Sequence, residues 1–257
     1  MKILGFIGPK GSGKDASAKI LKDNKVSDGK LSFAGPLKEL CSEVFNIPLK
    51  MFNDPEFKEQ EIFPKHGGPF FLNRGHFRAL KRAMPSYLPT KDPLGQVYTY
   101  STDRAAISGL EGRQIKTYRE LLQIVGTDFI RNRVFEYWHV MAAFSSKALD
   151  DLDGSTYCVT DIRFPNELKY LQDKFGEDFE AYYVERPKAE KALESATHVS
   201  ELGIKDLKAL IPKNNIIKND KTLKALEESL SSITSALKAV PKKPKERKSK
   251  FVYGPRN

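Results

Sequence analysis

The sequence predicts an α/β fold in which a parallel β-sheet is flanked by helices on both faces. Short apolar runs typical of buried strands alternate along the chain with longer segments whose apolar residues recur at helical spacing. A glycine-rich turn directly follows the first apolar run and opens a helical segment. With 257 residues, 40% of them hydrophobic, the chain is long enough for one such domain with insertions.

The first part of the chain holds two predicted strand–helix units. Ile3–Ile7 is apolar and predicts a buried strand, with a first helix beyond the glycine-rich turn. Leu31–Ala34 predicts a second, short strand. Gly35 and Pro36 then open a helix that extends to about Phe45, because proline is well placed in the first turn of a helix.

A long irregular region separates these units from the rest of the chain. Residues 46–116 are rich in proline, glycine and aromatic residues, and residues 63–69 are the loosest part. Irregular regions of this length inside an α/β fold usually carry function or flexibility. We interpret residues from about 50 to 115 as an insertion that helps to cover a substrate.

The remainder of the chain returns to alternating helices and strands. Two helices are expected between Thr117 and about Leu149, broken near Gly126, and Thr127 or Asp128 would cap the second. The later elements are a strand at Tyr157–Thr160, a helix from Pro165 to about Lys174, strands at Ala181–Val184 and Asn215–Ile217, and a last helix from about Lys221.

The glycine-rich turn, Gly8 to Asp15, has the G-x(4)-G-K spacing of a phosphate-binding loop. Glycines let the backbone curl so that successive N–H groups point inward, and the N-terminus of the following helix adds partial positive charge. Lys14 would reach the β- and γ-phosphates of a nucleotide. An ordinary tight turn is the alternative, and the intact spacing between a strand and a helix argues against it.

Asp15 stands where a hydroxyl residue usually follows the loop lysine and ligates Mg²⁺. A carboxylate is also a good ligand for a hard cation, directly or through water, and Ser17 could share the metal shell. The substitution argues against ordinary GTPases and motor ATPases. We therefore expect a nucleotide and Mg²⁺ at this loop, with Asp15 close to the metal.

A second group of charged residues follows the predicted strand at residues 157–160. Asp161 would hold the magnesium shell or orient an acceptor phosphate, and Arg163 would clamp a phosphate with its planar guanidinium. Glu167 would pair with that arginine or accept a hydrogen bond from a sugar or base. A surface cluster that merely caps the helix is the alternative. Because these residues and the phosphate loop fall on the same strand edge, we favour the functional interpretation.

Polar residues recur along one side of the predicted broken helix. Gln123 offers donor and acceptor groups that suit the edge of a nucleobase, and Arg119 and Arg131 suit phosphates. Thr127 and Asp128 complete the row. From spacing alone the same residues also fit an exposed polar face.

Other candidates rest on weaker patterns. Phe33 and Trp138 could line a base pocket, although large aromatic residues are more often part of the core. The charged stretch at residues 186–201 could close over the phosphates as a lid, in which His198 would bind the loop rather than catalyse. Asn219 follows the last strand, where a loop could touch an adenine ring.

Composition limits the classes of partner. The formal net charge is +10, but much of the excess falls in residues 242–250, and we expect residues 241–257 to be a disordered, solvated tail. Cys41 and Cys158 lack metal-type spacing, so we expect free, buried thiols in a reducing cytoplasm and no zinc site. No apolar run approaches the roughly 20 residues that span a bilayer, and no leader is visible, so a cytoplasmic protein is expected.

Five motifs occur in order: G-x-K-x-S-G-K-D at Gly8–Asp15, L/F-A-G-P-L/I-K at Phe33–Lys38, R-x-x-L-Q-x-x-G-T-D at Arg119–Asp128, D-x-R-x-x-x-E at Asp161–Glu167, and R-P…T-H-x-(S/T)-E at Arg186–Glu201. Together they resemble the deoxynucleoside-monophosphate kinases of large tailed bacteriophages. The resemblance extends to about residue 235 and leaves out the predicted insertion and the basic tail. An aspartate after the loop lysine, unusual in a general phosphate loop, is typical of this family.

The resemblance implies a P-loop kinase domain over residues 1–240, with a monophosphate-binding insertion and a lid. It implies transfer of the ATP γ-phosphoryl group, with Mg²⁺, to a deoxynucleoside monophosphate by in-line displacement. A homodimer in the host cytoplasm is expected, without membrane attachment or specific nucleic-acid binding.

The resemblance also implies the site residues. Those expected at ATP are Gly8, Gly11, Ser12, Gly13, Lys14, Asp15, Ala16, Arg119, Arg186 and Asn219. Those expected at the monophosphate are Lys10, Phe33, Leu37, Lys38, Gln123, Gly126, Thr127, Arg131, Trp138, Asp161, Arg163 and Glu167. The expected catalytic residues are Lys14, Asp15, Arg119, Asp161 and Arg163, with Asp15 and Asp161 at the metal, directly or through water.

Two other functions fit the same motifs. A kinase of another small phosphorylated metabolite, of the dephospho-coenzyme A or phosphomevalonate type, would keep the loop and change the acceptor. A nucleic-acid-binding protein that uses ATP as a switch would use the basic tail, a weaker hypothesis because charge runs are usually solvated.

Overall fold

The computed structural model describes residues 1–62, 68–88, 104–145, 154–194 and 199–239. Its strands are β1 (Lys2–Ile7), β2 (Gly29–Leu31), β3 (Phe70–Phe71), β4 (Gln114–Ile115), β5 (Thr156–Val159), β6 (Phe179–Glu185) and β7 (Ile216–Lys218). Its α-helices are α1 (Lys14–Asp23), α2 (Ala34–Phe45), α3 (Leu49–Asn53), α4 (Pro55–Lys58), α5 (Arg74–Ala83), α6 (Tyr118–Gln123), α7 (Trp138–Ser145), α8 (Pro165–Phe175), α9 (Pro187–Glu194), α10 (Val199–Leu210), α11 (Leu223–Ser229) and α12 (Ser231–Ala239). A π-helical segment, Ile124–Val134, continues from α6, and 3₁₀ turns lie at Met84–Tyr87, Arg104–Ile107, Gly176–Asp178 and Lys213–Asn215.

Five parallel strands form the central sheet, in the order β2-β5-β1-β6-β7. β1 lies in the middle, where Leu4 is opposite Cys158 of β5 on one side and Glu180 of β6 on the other. The predicted parallel sheet is confirmed, and strands are present close to each of the expected positions.

Alternating side chains of β1 explain why helices cover both faces of the sheet. Ile3 and Ile7 pack into an apolar cluster with residues of α7, α8 and α10, while Leu4 and Phe6 pack into a second cluster with residues of α1 and α11. All four side chains are fully buried. A strand buried on both faces is apolar throughout, which is the pattern seen in this run.

The predicted insertion is more ordered than the sequence indicates. Between residues 50 and 115 the chain forms α3, α4 and α5 and an antiparallel pairing of β3 with β4. Phe52 and Phe77 are buried in a third apolar cluster that includes residues of α2 and α6. The expectation of an irregular region is wrong: α3 and α4, at five and four residues, are too short to show helical periodicity, and the ten-residue α5 goes unrecognised among the prolines, glycines and aromatic residues around it. Residues 63–67 and 89–103 lie outside the described residues.

The second strand and its helix are displaced from their predicted boundary. β2 ends at Leu31 and α2 begins at Ala34, so the strand expected at Leu31–Ala34 lies nearer the N-terminus. The backbone N–H of Ala34 donates to Asp161 Oδ2 at 2.9 Å. This hydrogen bond connects the start of α2 to Asp161, which lies two residues beyond the end of β5, the strand next to β2.

The predicted helix break near Gly126 is wrong. Thr117 caps α6 by accepting a backbone N–H at 3.1 Å, and the chain then remains helical through the π-helical segment. Thr127 and Asp128 lie inside that segment and cap no helix. The break falls instead at residues 135–137, before α7.

The C-terminal helix expected from about Lys221 is two helices, α11 and α12, with Leu230 between them. Leu226, Leu230 and Ile233 are buried against the sheet, as their spacing predicts. The expected tail, residues 241–257, lies outside the described residues.

Both cysteines, Cys41 and Cys158, are free and buried, as predicted. In the described ranges, His, Cys, Asp and Glu side chains form no group of three or more that could hold a metal ion. No described helix combines the length and apolar character needed to cross a bilayer.

Candidate active site

A cleft of about 390 Å³ opens at the carboxyl ends of β1, β2 and β5, beside the N-termini of α1 and α2. Ligands of open α/β sheets bind at this edge, and the volume is within the range of small-molecule pockets. The residues that line it come from the β1–α1 loop, α1, β2, the β2–α2 loop, α2, α4, α6, the π-helical segment, α7, the β5–α8 loop and α8. The cleft therefore gathers chain segments that are far apart in sequence.

The phosphate loop, Gly8 to Asp15, forms one wall and needs its glycines. Gly8, Gly11 and Gly13 have φ angles of 147°, 79° and 110°, in the region that side chains disfavour. A Cβ at Gly8 would lie 2.6 Å from the carbonyl oxygen of Val184. The loop thus contains three glycines with positive φ and packs closely against β6. Such a backbone lets successive N–H groups point toward a phosphate.

Two distant residues hold the backbone of this loop from outside. Asn219 Nδ2 donates to the carbonyl oxygen of Ser12 at 2.7 Å, and a guanidinium nitrogen of Arg186 donates to that of Gly11 at 3.1 Å. A Cβ at Gly13 would lie 2.3 Å from Asn219 Nδ2, so this glycine makes room for the contact. Arg186 and Asn219, expected at ATP, are placed at the loop itself and not among the residues lining the cleft.

Lys14 and Asp15 face the cleft with defined partners. Lys14 Nζ donates to the carbonyl oxygen of Pro9 at 2.7 Å. Asp15 Oδ1 accepts from Lys30 Nζ at 2.8 Å and from Thr160 Oγ1 at 2.9 Å. Burial raises the pKa of Asp15, but these hydrogen bonds and the nearby lysine charges outweigh it and leave the pKa below its usual value. Asp15 is therefore an anion at neutral pH.

Ser17, expected to share the metal shell, is buried on the far side of α1. Its side chain is fully buried, and its hydroxyl donates to the carbonyl oxygen of Gly13 at 3.1 Å. The expectation is wrong because Ser17 lies two residues after Asp15, which is about 200° around the helix, so its side chain points into the core.

Asp161 is fixed through one oxygen and has the other oxygen without a partner. Oδ2 accepts from Ser32 Oγ at 2.8 Å and from the backbone N–H of Ala34 at 2.9 Å. Oδ1 is buried and has no hydrogen-bond partner among the described residues. A carboxylate oxygen in this situation suits a cation or water, and Asp15, which also lines the cleft, offers a second hard ligand. These two carboxylates fit Mg²⁺.

Arg131 and Glu167 form a buried ion pair at the back of the cleft. The other Glu167 oxygen accepts from the backbone N–H groups of Arg163 at 2.8 Å and Phe164 at 3.2 Å. The Arg131 guanidinium also stacks 3.7 Å from the centre of the Phe164 ring. Burial raises the pKa of Glu167, and the Arg131 charge opposes that rise. The pair is positioned to fix the loop that carries Arg163.

Five cationic side chains line the part of the cleft between the phosphate loop and the insertion. We call Lys10, Lys38, Lys58, Arg119 and Arg163 the cation cluster. Burial, followed by the charges of the other four members, lowers the pKa of Lys58 to about 8. Like charges are held close enough to destabilise one another, as expected of a site that receives an anion.

Residues of the insertion contact three members of the cation cluster. Glu59 Oε1 accepts from Arg119 Nε at 2.6 Å and lies 3.9 Å from Lys10 Nζ. Lys38 Nζ donates to Asn53 Oδ1 at 3.1 Å. The insertion therefore contributes directly to the charge balance of the cleft.

Another part of the same cleft is lined mainly by uncharged residues. Gln123 and Thr127 line it, together with His139, whose Nε2 lies 2.9 Å from the carbonyl oxygen of Gly126. Burial lowers the pKa of His139 to about 4, so the imidazole is neutral at pH 7. A Cβ at Gly126 would lie 2.6 Å from Leu37 Cδ2, so this glycine permits α2 to approach. Neutral donors and acceptors beside apolar groups suit a nucleobase.

Trp138 is not at the cleft, and its predicted place in a base pocket is wrong. The side chain is fully buried, and Nε1 donates to the carbonyl oxygen of Met84 at 3.3 Å. Its ring packs 6.0 Å from that of Tyr87. Phe33 does line the cleft, although it is only 3% exposed.

The cleft brings together most of the expected site residues and adds others. The expected residues that line it are Lys10, Gly11, Lys14, Asp15, Phe33, Leu37, Lys38, Arg119, Gln123, Gly126, Thr127, Arg131, Asp161, Arg163 and Glu167. Gly8, Ser12, Gly13 and Ala16 belong to the phosphate loop or the start of α1 without lining the cleft. Ala34, which the sequence places at the carboxyl ends of the strands, also lines the cleft, while sequence reasoning missed Lys30, Ser32, Lys58, Leu122, His139, Thr160 and Phe164.

A sequence signal exists for only some of the missed residues. Thr160 and Phe164 adjoin Asp161 and Arg163 at the strand end, so the same argument would have included them. Lys58 and His139 carry no local signal. The expected lid, residues 186–201, is described only in part. Helices α9 and α10 belong to it, but residues 195–198, which include His198, lie outside the described residues.

Comparison with known proteins gives the family. The family model described as deoxynucleotide monophosphate kinase matches residues 90–230, more than half of the chain. The chain is also similar to the deoxynucleoside-5′-monophosphate kinase of Escherichia phage T5, with 27% identity over 221 residues that cover 79% of this chain and 84% of that protein. The family match includes the Asp161 and Arg163 loop, while the phosphate loop lies outside it. The chain belongs to the deoxynucleotide monophosphate kinase family, and it is a phosphotransferase.

Proposed function

We propose that this kinase transfers the γ-phosphoryl group of ATP to a deoxynucleoside monophosphate by direct in-line displacement. The observation that carries the proposal is a single cleft lined both by a glycine-rich phosphate loop and by the cation cluster. Family membership favours a deoxynucleotide over other small phosphorylated metabolites as the acceptor. Production of DNA precursors follows from this activity.

ATP would bind on the phosphate loop. Backbone N–H groups of the loop and the N-terminus of α1 attract the phosphates, and Lys14 would exchange its contact with the Pro9 carbonyl for phosphate oxygens. Asn219 and Arg186 keep the loop backbone in place for this purpose. The role of these residues is to hold the γ-phosphate in a fixed position.

The monophosphate would bind across the cleft. Its phosphate meets Lys38 and Arg163, and its base enters the pocket lined by Gln123, Thr127 and His139. Arg119 lines the same cleft and would contact the transferring group. Alignment, exclusion of water and positive charge around the transferred group supply most of the catalysis in such reactions, because little covalent work falls to the protein.

Mg²⁺ would be held near Asp15 and Asp161, whose oxygens face the same cleft. When bound, the ion would neutralise charge on the phosphates and orient them. Thr160 and Lys30 keep Asp15 ionised, while Ser32 and the N-terminus of α2 fix the carboxylate of Asp161.

We infer one kinase domain over residues 1–240, with residues 50–115 covering the acceptor and residues 186–201 covering the phosphates. The homodimer, the solvated tail, the absence of specific nucleic-acid binding and the cytoplasmic location remain predictions from the sequence.

A coupled assay with ATP, Mg²⁺ and each of dAMP, dCMP, dGMP and dTMP tests the proposal. We expect turnover of at least one of them, and Lys14→Met should lower kcat/KM on the order of 10³-fold, because one cation at the transferring phosphoryl group has an effect of that size. Lys22→Met, an exposed lysine of the same helix, is the matched control and should retain activity. Absence of turnover with all four nucleotides, or an active Lys14→Met variant, would overturn the proposal.

A further inference from the structure

We propose that Lys58 is a phosphate ligand of the acceptor nucleotide and that it takes up a proton from solvent when that phosphate binds. The inference rests on the proposed function and assigns a residue of the insertion to it. Nothing in the local sequence around Lys58 indicates such a role, and the role arises from where the insertion packs.

The location of Lys58 is the first argument. It is the last residue of α4, and its side chain is half-buried and lines the cleft. The other members of the cation cluster reach the same place from four different segments. These are Lys10 on the phosphate loop, Lys38 on α2, Arg119 on α6 and Arg163 after β5.

The partners of these cations are the second argument. Arg119 and Lys10 share the Glu59 carboxylate, and Lys38 has the side-chain oxygen of Asn53. With the residues that the structure describes, Lys58 Nζ makes no hydrogen bond or ion pair. An ammonium group half removed from water, among like charges, is poised for an incoming anion.

The charge state of Lys58 follows from the same surroundings. Burial and the neighbouring charges lower its pKa to about 8, so a substantial fraction of the amine is neutral at pH 8. A phosphate dianion placed in the cation cluster cancels that repulsion and raises the pKa of Lys58. The neutral amine then takes one proton from the buffer and becomes an ammonium group bound to phosphate.

Titration calorimetry of the full-length protein tests this inference. Each of dAMP, dCMP, dGMP and dTMP is titrated at pH 8 in two buffers of different ionisation enthalpy, so that the difference gives protons exchanged per nucleotide bound. At this pH the phosphate is already a dianion, since its second pKa is about 6, and contributes no proton. We expect wild-type protein to take up about half a proton per nucleotide, because Lys58 titrates near this pH.

Two substitutions and one control separate the roles of Lys58. Lys58→Arg keeps a permanent charge and should bind nucleotide without proton uptake. Lys58→Met should bind nucleotide about tenfold or more weakly, the change expected from loss of one charge-assisted hydrogen bond. Lys50→Met, an exposed lysine of the adjacent α3, should match the wild type in both measurements.

Each outcome bears on the inference. Equal proton uptake by wild type and Lys58→Arg, or equal affinity of Lys58→Met and Lys50→Met, overturns it even if the enzyme is an active kinase. Binding with Lys58-dependent proton uptake but without turnover supports it and contradicts the proposed function. Failure of the wild-type protein to bind all four nucleotides contradicts both.

Discussion

Glu59 binds Arg119, one of the residues that line the cleft, and Oε1 of the carboxylate accepts a hydrogen bond from Nε of the guanidinium at 2.6 Å. The same oxygen lies 3.9 Å from Nζ of Lys10. The Glu59 carboxylate of the insertion thus contacts both Arg119 and Lys10, two cations that we propose bind phosphate groups. On this assignment, the carboxylate and a bound phosphate would compete for the same two cations.

We predict that Glu59→Gln tightens nucleotide binding. The amide no longer competes with phosphate for Arg119 and Lys10, and an exposed ion pair of this kind is worth up to about 1 kcal/mol, which corresponds to about a two- to fivefold lower Kd. Calorimetric titration with nucleotide measures the effect, and Glu61→Gln, an exposed glutamate nearby, is the control. Weaker binding by Glu59→Gln would mean that the carboxylate organises the arginine and does not compete with the ligand.

We predict that Asp161→Asn raises the Mg²⁺ concentration needed for activity by about ten- to hundredfold, the range seen when a metal site loses a supporting group. The amide oxygen can still accept from Ser32 and from the start of α2, so the fold is retained while the negative charge is lost. Activity measured against Mg²⁺ at saturating nucleotide gives the result. Ser32→Ala keeps the charge and should have a smaller effect, and an unchanged Mg²⁺ requirement in Asp161→Asn would exclude this carboxylate from the metal site.

We predict that Arg131→Met lowers the free energy of unfolding by about 3–5 kcal/mol, because it leaves the buried Glu167 carboxylate without its partner. The double variant Arg131→Met/Glu167→Gln should be less destabilised than the sum of its two single variants. Urea denaturation of all four proteins completes the cycle. Additive effects would show that the two side chains are not coupled, despite their contact.

The phosphate loop and the strand-end residues are the parts of the site that the sequence predicts well. Both follow from local rules: glycine is needed where φ is positive, and residues after parallel strands meet at one edge. The φ angles of 147° at Gly8 and 110° at Gly13, and the place of Asp161 in the cleft, agree with those rules. Such features depend on a few neighbouring residues and on strand order alone.

Lys58 and His139 show why the rest of the site could not be predicted. Lys58 reaches the cleft because α4 packs on α6. His139 lies at the cleft because its imidazole contacts the carbonyl oxygen of Gly126 in the π-helical segment. Neither packing leaves a periodic pattern in the sequence. Trp138 is the opposite case. The sequence and the family resemblance place it at the monophosphate, whereas in the structure its side chain is part of the third apolar cluster.

We predict that His139 makes the protein less stable in mild acid. In the unfolded chain an imidazole takes up a proton below about pH 6.5, but burial keeps the pKa of His139 at about 4 in the folded protein. Above pH 6.5 both states are neutral and the residue has no effect. As pH falls from 6.5 to 4, protons bind only the unfolded state, so the free energy of unfolding drops by about 3 kcal/mol in total.

His139→Gln keeps an N–H donor for the Gly126 carbonyl and does not titrate, so its stability should fall less over this range. Urea unfolding from pH 7 to pH 4.5 compares the two proteins, and carboxylates that titrate in both cancel in the difference; parallel curves would show that His139 already carries its proton in the folded state.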